Sequence, residues 1–386
     1  MIGISKLYCG TSETADNIRY QHGAANHAER KPVVVWNCTP ECNLSCSHCY
    51  SASGSAADDY EMTTAEGRLL IEQLADFGSP VILFSGGEPL LRKDLPELAR
   101  YAVEKGMHAV ISSNGTLIDS DIAGSLKAAG VTYVGVSIDG LEDTHDRFRQ
   151  RNGAFLEALW GIRACRNAGL KVGLRCTLNK ENIQEIPGIF ELMIRENIPR
   201  ICFYHLVSTG RGKNIKNSML SSEATRRAVD MIIDYTAGLH KAGRRIEVLT
   251  VDNLADGPYL YLRMLRENHP RAAAALQLLK RTAGGSTGVG IGCVNWNGEV
   301  YPDQFWRNKK LGNILIRPFG DIWTDLSNPL MKKLKNKQEY VTGRCAECRL
   351  LKLCCGNFRA RAEALTGDPW AADPGCYLND EEIFSI

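Results

Sequence analysis

Three cysteines, Cys42, Cys46 and Cys49, stand in a C-x3-C-x2-C arrangement within the segment CTPECNLSCSHCYSASG. Thiolate side chains this close together in a chain are typical metal ligands. A structural zinc ion takes four protein ligands, whereas three thiolates on one short loop suit an iron-sulfur cluster with one iron left open. The spacing therefore favours an iron-sulfur cluster whose open iron binds a substrate or cofactor, and a structural zinc site is the alternative.

Three polar segments end consecutive predicted strands further along the chain. SGGEP at residues 85–89 supplies two glycines that allow close approach to a ligand, and its Glu88 carboxylate can accept hydrogen bonds from an ammonium group. SSNGT at residues 112–116 follows the next strand, and SIDG at residues 137–140 supplies a hydroxyl and a carboxylate suited to sugar hydroxyls. Together they predict one bound small molecule that carries an amine, a carboxylate and a sugar.

Alternating β-rich runs and amphipathic helical patterns must position these motifs. Six strands are predicted at residues 33–37, 81–87, 107–115, 131–140, 170–179 and 199–208. The helices predicted between them lie at residues 65–77, 94–105, 119–129 and 155–168. Six βα units in series imply a parallel α/β sheet, either a partial barrel or a doubly wound sheet, and ligands bind at the carboxyl ends of the strands in both.

The chain is predicted to consist of the barrel and three further parts. The barrel covers residues 32–211, and the further parts are an N-terminal extension at 1–31, a helical connecting region at 212–285 and a C-terminal domain at 286–386. The connecting region has helical patterns at residues 222–242, 259–268 and 271–281, and the C-terminal domain begins with a hairpin pattern at 291–305.

Charge and hydropathy exclude several classes of partner. The 46 Lys and Arg residues against 44 Asp and Glu residues give a net charge of +2, which is too balanced to predict binding to nucleic acid or to an anionic membrane. No apolar run is long enough to span a membrane, and the polar N-terminal segment lacks the apolar stretch of a signal peptide. We therefore expect a cytoplasmic protein. In that reducing compartment the 14 cysteines are not expected to form a disulfide framework, and the clustered ones are expected to be metal ligands or redox groups.

A second group of cysteines lies near the C-terminus. Cys345, Cys348 and Cys354 form a C-x2-C-x5-C run, and Cys376 supplies a distant fourth thiol. Four thiolates suit either an iron-sulfur cluster or a structural zinc ion, and spacing alone does not distinguish the two.

The motif CNLSCSHCY followed by SGGEP resembles the radical S-adenosylmethionine (SAM) superfamily, whose fold is a partial six-stranded (β/α)6 barrel of the TIM type. The resemblance implies that Cys42, Cys46 and Cys49 hold a [4Fe-4S] cluster and that SAM chelates its open iron. It also implies cleavage of SAM to a 5′-deoxyadenosyl radical that abstracts hydrogen from a substrate. The residues that the resemblance places at the cofactor are Tyr50, Gly86, Gly87, Glu88, Asn114, Ser137, Asp139, Arg149 and Leu206.

The second cysteine group resembles the SPASM extension of radical SAM enzymes, which carries auxiliary [4Fe-4S] clusters. The full SPASM pattern has seven cysteines for two clusters, but Asp303 and Phe358 stand at two of the expected ligand positions. The resemblance therefore implies a SPASM-like or Twitch-like C-terminal domain with one auxiliary [4Fe-4S] cluster on the four cysteines of the second group. Cys355 and Cys293 are alternative ligands.

Segments at residues 1–11, 253–265 and 288–306 extend the resemblance over nearly the whole chain. They resemble the radical SAM enzymes of the alternative haem and haem d1 pathways, whose substrates are sirohaem-derived iron tetrapyrroles. The likeness implies removal of acetate arms, from 12,18-didecarboxysirohaem to iron-coproporphyrin III, and a low-potential electron donor such as ferredoxin or flavodoxin. The alternatives are removal of propionate arms in haem d1 synthesis, maturation of a peptide by a SPASM enzyme, and a non-enzymatic iron-sulfur or zinc-binding regulator.

His205 and Tyr204, at the end of the sixth predicted strand, are the candidate catalytic residues, and His205 could act as an axial iron ligand or an acid. A tetrapyrrole with several carboxylates needs fixed cations, for which the candidates are Arg175, Arg211, Arg263 and Arg307. The aromatic side chains that could stack on a macrocycle are Trp36, Tyr204, Trp296 and Trp306.

Overall fold

The computed structural model describes residues 1–20, 30–54, 60–283 and 287–384. Its strands, numbered β1 to β11 in chain order, are Ile2–Gly3, Val33–Asn37, Val81–Ser85, His108–Ser113, Tyr133–Ser137, Lys171–Leu178, Arg200–His205, Glu247–Val251, Ile291–Val294, Glu299–Tyr301 and Gly312–Asn313. They form one sheet in the order β1-β8-β7-β6-β5-β4-β3-β2-β9-β10-β11.

All six predicted strands form, as β2 to β7, and each pairs in parallel with the next. The strand order follows the chain without reversing, which is the topology of a singly wound barrel and not that of a doubly wound sheet. The sheet does not close on itself, because β1 and β11 lie at its two edges. The predicted partial barrel is thus confirmed.

A seventh parallel strand lies in the region that the sequence analysis predicted to be a helical connection. This strand, β8, pairs in parallel with β7 and in antiparallel with β1 at the N-terminus. All five of its side chains are buried, since its sequence EVLTV is rich in apolar and β-branched residues. The domain boundary predicted at residue 285 falls on residues 284–286, which lie outside the described residues, and the boundaries stay predictions.

Helices follow the barrel strands and pack against the outer face of the sheet. The α-helices, numbered α1 to α15, are Asp16–Tyr20, Thr64–Phe77, Leu95–Glu104, Ser120–Ala128, Glu142–Arg149, Ala154–Asn167, Ile186–Arg195, Ser222–Lys241, Asp256–Arg266, Ala272–Thr282, Phe319–Thr324, Pro329–Lys335, Leu351–Cys354, Arg359–Thr366 and Asp380–Phe384. A one-turn π-helix covers Ser5–Cys9, and 3-10 helices cover Pro89–Leu91, Ile183–Glu185, Gly210–Ser218, Lys337–Glu339 and Gly343–Cys345. Thr63 begins α2 with a reciprocal capping box to Glu66, which satisfies two amide groups at the helix start.

Trp36 on β2 shows how closely the helices pack on the sheet. Its side chain is fully buried against the ring of Phe84, with ring centroids 5.5 Å apart. Gly67 on α2 leaves the space that this ring needs, since a Cβ at that position would lie 2.8 Å from the indole. Trp36 is therefore a core residue and cannot stack on a macrocycle in the cavity.

The C-terminal part of the chain continues the same sheet. β9 pairs in parallel with β2, and β10 pairs with both β9 and β11 in antiparallel, which confirms the predicted hairpin. The C-terminal segments thus lie beside the first barrel strand, next to the cysteine loop that follows it. No helix in the described parts of the chain is both long and apolar enough to cross a membrane.

Candidate functional site

A cavity of about 170 Å³ lies at the carboxyl ends of the barrel strands, where the polar segments of several strands meet. The sequence-predicted site residues that line this cavity are Cys42, Cys46, Cys49, Tyr50, Gly86, Gly87, Asn114, Ser137, Arg149, Tyr204, His205 and Leu206. Glu88 and Asp139 are also fully buried but are not part of the lining. The candidate cations Arg175 and Arg211 line it as well, and so do Thr177 on β6 and Asp252 after β8. The fold therefore brings residues from the ends of β3 to β8 and from the cysteine loop to one place.

The cysteine loop is held by hydrogen bonds to its backbone. The Cys42 amide donates to the Gly54 carbonyl oxygen at 3.2 Å. The guanidinium of Arg211 donates to the carbonyl oxygens of Cys46 and Ser53, at 2.8 Å and 2.6 Å. These bonds fix the direction in which the three thiols face the cavity.

Gly86 and Gly87 pack the end of β3 against the cysteine loop. The Gly87 amide donates to the Thr39 carbonyl oxygen at 2.9 Å, and the Glu88 amide donates to that of Glu41 at 2.8 Å. A Cβ at Gly87 would overlap the Glu41 carbonyl, and Gly86 has a φ of 134°, which favours glycine. The two glycines thus position the loop in addition to any contact that they make with a ligand.

The Glu88 carboxylate joins the ends of β3 and β4. It accepts hydrogen bonds from the Ser113 hydroxyl at 2.9 Å, the Asn114 amide at 2.8 Å and the Leu90 amide at 3.2 Å. Burial raises the pKa of Glu88 to about 7, although these hydrogen bonds oppose the rise. A cation that approached Glu88 would favour its ionised form.

Arg149 and Asp139 form a buried ion pair beside the cysteine loop. Nη1 of Arg149 also lies 3.5 Å from Sγ of Cys46. Asp139 accepts a hydrogen bond from the Thr177 amide at 2.7 Å, and Nε2 of His48 lies 3.5 Å away from its carboxylate. Burial tends to raise the pKa of Asp139, but the Arg149 charge, the two neighbouring histidines and the hydrogen bond from the Thr177 amide together hold it below its usual range. Asp139 thus orients Arg149, which faces the cavity.

His205 lines the cavity and is positioned by two residues that sequence reasoning missed. Its Nε2 lies 2.8 Å from one carboxylate oxygen of Asp256, and the Tyr377 hydroxyl donates to the other oxygen at 2.7 Å. Burial tends to raise the pKa of Asp256, but His205 and the hydrogen bonds to the carboxylate lower it below the usual range. The segment NLADGPYLYLR was a sequence signal for Asp256, but no local pattern indicated that it would meet His205.

The remaining candidate aromatic residues line two different cavities. Tyr204 lines the cavity with the thiols, and burial raises its pKa above its ordinary range. Trp296 and Trp306 instead line a second cavity of about 620 Å³, which shares Tyr50 and Phe305 with the first.

The four cysteines of the second group line one small cavity in the C-terminal domain, between α13, α15 and the loop at residues 372–378. Its cysteine lining consists of Cys345, Cys348, Cys354 and Cys376. Burial raises the pKa of Cys376 to about 11, so that a thiolate there needs a nearby positive charge. The fold therefore brings together four thiols that are up to 31 residues apart in the chain.

The alternative thiols of this domain lie elsewhere. Cys355 has a left-handed backbone with φ 49° and is not part of the cavity lining, and Cys293 on β9 accepts a hydrogen bond from the Asn37 side chain at 3.4 Å. Asp303 accepts a hydrogen bond from the Thr287 hydroxyl at 2.6 Å. Phe358 packs edge-on against another aromatic ring. The two positions that depart from the SPASM pattern thus have partners within the protein.

The singly wound partial barrel and its three-cysteine loop define a radical SAM enzyme. Residues 36–193 match the Radical SAM superfamily, and residues 290–349 match SPASM, an iron-sulfur cluster-binding domain. The chain is 55% identical to the Fe-coproporphyrin III synthase of Methanosarcina barkeri over 99% of both chains. It therefore belongs to the radical SAM superfamily, with a SPASM domain.

Two further comparisons agree with this family. The pre-heme d1 synthase of Dinoroseobacter shibae is 38% identical over 91% of this chain and 87% of its own. The crystal structure of Streptococcus suis SuiB bound to precursor peptide SuiA has a TM-score of 0.71 at 17% identity and covers 91% of this chain and 76% of that one, which shows a shared fold. The protein is thus an enzyme that uses SAM and a [4Fe-4S] cluster, and its C-terminal domain is of a kind that binds auxiliary iron-sulfur clusters.

Proposed function

We propose that this enzyme removes two acetate arms from 12,18-didecarboxysirohaem to give Fe-coproporphyrin III. The observation that carries the proposal is the 55% identity to an Fe-coproporphyrin III synthase over 99% of both chains. This match spans the barrel, the cysteine loop and the C-terminal domain, so it includes every site residue described above.

In this proposal Cys42, Cys46 and Cys49 hold the [4Fe-4S] cluster. The three thiols meet at one cavity, and burial raises the pKa of Cys42 to about 12, so a thiolate there needs the charge of a metal centre. Within the described ranges, no three His, Cys, Asp or Glu side chains are arranged to hold a single metal ion. Three thiolates on one loop suit a cluster with one open iron, whereas a structural zinc ion takes four protein ligands.

The proposed SAM site is formed by the strand ends beside this loop. Bound SAM, once reduced by one electron, supplies the 5′-deoxyadenosyl radical that abstracts hydrogen from the substrate. The buried Glu88 and the Arg149 guanidinium offer an acidic and a basic group to the amine and the carboxylate of the methionyl part. The residues proposed to surround SAM are Tyr50, Gly86, Gly87, Glu88, Asn114, Ser137, Asp139, Arg149 and Leu206.

His205 and Tyr204 are the proposed catalytic residues on the substrate side. Nε2 of His205 is engaged with Asp256, which leaves Nδ1 to bind the tetrapyrrole iron or to exchange a proton with the substrate. The Tyr204 hydroxyl, which precedes it on the same strand and lines the same cavity, can donate a hydrogen bond to a carboxylate arm.

We further propose one auxiliary [4Fe-4S] cluster, on Cys345, Cys348, Cys354 and Cys376. The shared cavity of these four thiols supports this ligand set, and the positions of Cys355 and Cys293 outside that cavity favour it over the alternatives. A low-potential donor such as ferredoxin or flavodoxin is the proposed source of electrons, and the cytoplasmic location stays a prediction.

The proposal is tested with the anaerobically reconstituted enzyme. Iron is counted per chain, dithionite, SAM and didecarboxysirohaem are added, and products are followed by mass spectrometry. We expect about eight irons, loss of both acetate arms, and one 5′-deoxyadenosine for each arm removed. Formation of 5′-deoxyadenosine without any change in the tetrapyrrole would contradict the proposed substrate.

Haem d1 synthesis is the second candidate, because of the 38% identity to a pre-heme d1 synthase. The same experiment separates the two, since loss of propionate mass instead of acetate mass would favour the haem d1 reaction. A peptide-modifying activity would instead leave the tetrapyrrole unbound as well as unchanged.

A further inference from the structure

Arg175 places an unpartnered guanidinium in the cavity of the thiols. It lies on β6 and lines that cavity, and its Nε is buried without a hydrogen-bond partner. Among the hydrogen bonds and ion pairs of the described residues, none involves this guanidinium. Arg175 is half-buried, and a guanidinium with a buried Nε that has neither a hydrogen-bond partner nor an ion pair is unfavourable, so we expect an anion to complete this site.

The strand beside Arg175 is shaped to accommodate its guanidinium. Ser137 on β5 pairs with Arg175 in the sheet register. Gly135 lies two residues before Ser137 on the same face of β5. A Cβ at Gly135 would overlap Nε of Arg175, so only glycine allows the side chain to lie where it does. The unpaired charge therefore occupies a built recess and not an accidental gap.

The other candidate cations have partners already. Arg149 pairs with a buried carboxylate. Arg211 and Arg307 form no ion pair among the described residues, but both donate to backbone carbonyl oxygens, although Nη2 of Arg211 is buried without a hydrogen-bond partner. Arg263 forms ion pairs with three carboxylates on α8 and at the end of α9, outside the cavity. Arg175 thus differs from them in having no partner in the described structure.

We infer that Arg175 binds a carboxylate deep in the barrel cavity, with the Tyr204 hydroxyl as a second donor. This inference rests on the proposed function, since the arms of the tetrapyrrole end in carboxylates. The methionyl carboxylate of SAM is another source of the same chemistry. A carboxylate arm of the tetrapyrrole suits this position better than SAM does, because Arg175 lies below the cavity mouth. It is two positions, about 7 Å along the strand, before Thr177 near the end of β6.

The test is a binding titration of the reconstituted enzyme without reductant, so that no turnover occurs. The probes are Fe-coproporphyrin III, its tetramethyl ester, which has no free carboxylate, and SAM. We expect Arg175→Gln to weaken binding of the acid about 10- to 100-fold while it leaves the ester and SAM unaffected. Arg163→Gln, which removes an arginine from the outer surface of α6, is the matched control and should change none of the three.

Gly135→Ala provides a second variant that keeps the charge but displaces the guanidinium, and it should show the same selective loss. Ligand-free Arg175→Gln should melt no lower than the wild type, because the substitution removes a half-buried cation that forms no ion pair or hydrogen bond. Equal loss of acid and ester, or no change for any probe, would overturn the inference. Weaker SAM binding with unchanged acid binding would assign the carboxylate to SAM. If the wild type bound neither tetrapyrrole, the proposed function would fail and the SAM titration alone would decide the role of Arg175.

Discussion

Replacing Asp256 by Asn should slow removal of the substrate arms without abolishing the cleavage of SAM. The Asp256 carboxylate accepts buried hydrogen bonds from His205 at 2.8 Å and from Tyr377 at 2.7 Å. A hydrogen bond to a charged group contributes about 1.5–3 kcal/mol. If the whole free energy of the bond to His205 stabilises the transition state, loss of this bond reduces kcat/KM by about 10- to 150-fold.

The assay is a single-turnover reaction in which 5′-deoxyadenosine and arm loss are quantified together across a range of pH. Asp256→Asn should reduce arm loss, shift the pH profile, and leave 5′-deoxyadenosine formation in the absence of substrate near the wild-type rate. Tyr377→Phe is the matched control. It removes a different hydrogen bond to the same charged carboxylate but keeps the bond to His205, so arm loss should fall less than in Asp256→Asn.

A double variant decides whether Asp256 acts through His205. If it does, Asp256→Asn should cost little further activity in a His205→Phe background, because the interaction is already lost. Additive losses in the double variant would refute the positioning role. A melting temperature close to that of the wild type is required for each variant, since Asp256 is fully buried.

Three other outcomes are expected. Gly87→Ala should displace the cysteine loop and thereby reduce bound iron by about half. Gly124→Ala is the control, because a Cβ at Gly124 has open space around it. This variant should leave bound iron unchanged and add about 0.5–1 kcal/mol to the free energy of unfolding. Iron counting should likewise show loss of about four irons in Cys354→Ser and none in Cys355→Ser, and equal losses would contradict the proposed ligand set. Burial lowers the pKa of His145 from its usual 6.5 to about 3, so the unfolded chain binds a proton at this histidine more readily and stability falls as pH drops below 6.5. Between pH 7 and pH 5 this protonation lowers the free energy of unfolding by about 2 kcal/mol. In thermal melts, His145→Asn should therefore depend less on pH than the wild type by that amount.

The six barrel strands and both cysteine groups were predictable because their signals are local. Apolar β-rich runs identify β2 to β7. The three thiols of the first group and three of the second group are close in sequence, whereas Cys376 is distant. The strand β8 was missed, since it lies among strong helical patterns and is identified by its burial and its pairing with β1 and β7. The choice between neighbouring thiols was also beyond sequence reasoning, because the left-handed backbone of Cys355 sets where its side chain lies.

The partners of His205 were missed for a different reason. Asp256 is 51 residues from His205, and Tyr377 is 121 residues from Asp256. Aspartate and tyrosine side chains can have many roles, and only the fold brings these two residues to His205. Arg175 is likewise one of many arginines in the sequence, and its lack of an ion pair among the described residues is visible only in the fold.

The C-terminal domain is joined to the barrel cavity by a buried polar network. The side chain of Asn357 donates to that of Asn253 at 2.7 Å. Arg361, which is 1% exposed, ion-pairs with Asp373 at 2.8 Å and donates to the Asp252 carbonyl oxygen at 2.7 Å. Separating the two parts would leave these groups without partners, at a cost of about 1–3 kcal/mol each.

This junction includes the residues that position His205. Tyr377 directly follows Cys376, one of the proposed auxiliary ligands, and its hydroxyl donates to the carboxylate that holds His205. A change at the auxiliary site can therefore reach the barrel cavity through two hydrogen bonds. For this reason we expect loss of the auxiliary cluster to alter the environment of His205 even while the cysteine loop of the barrel stays intact.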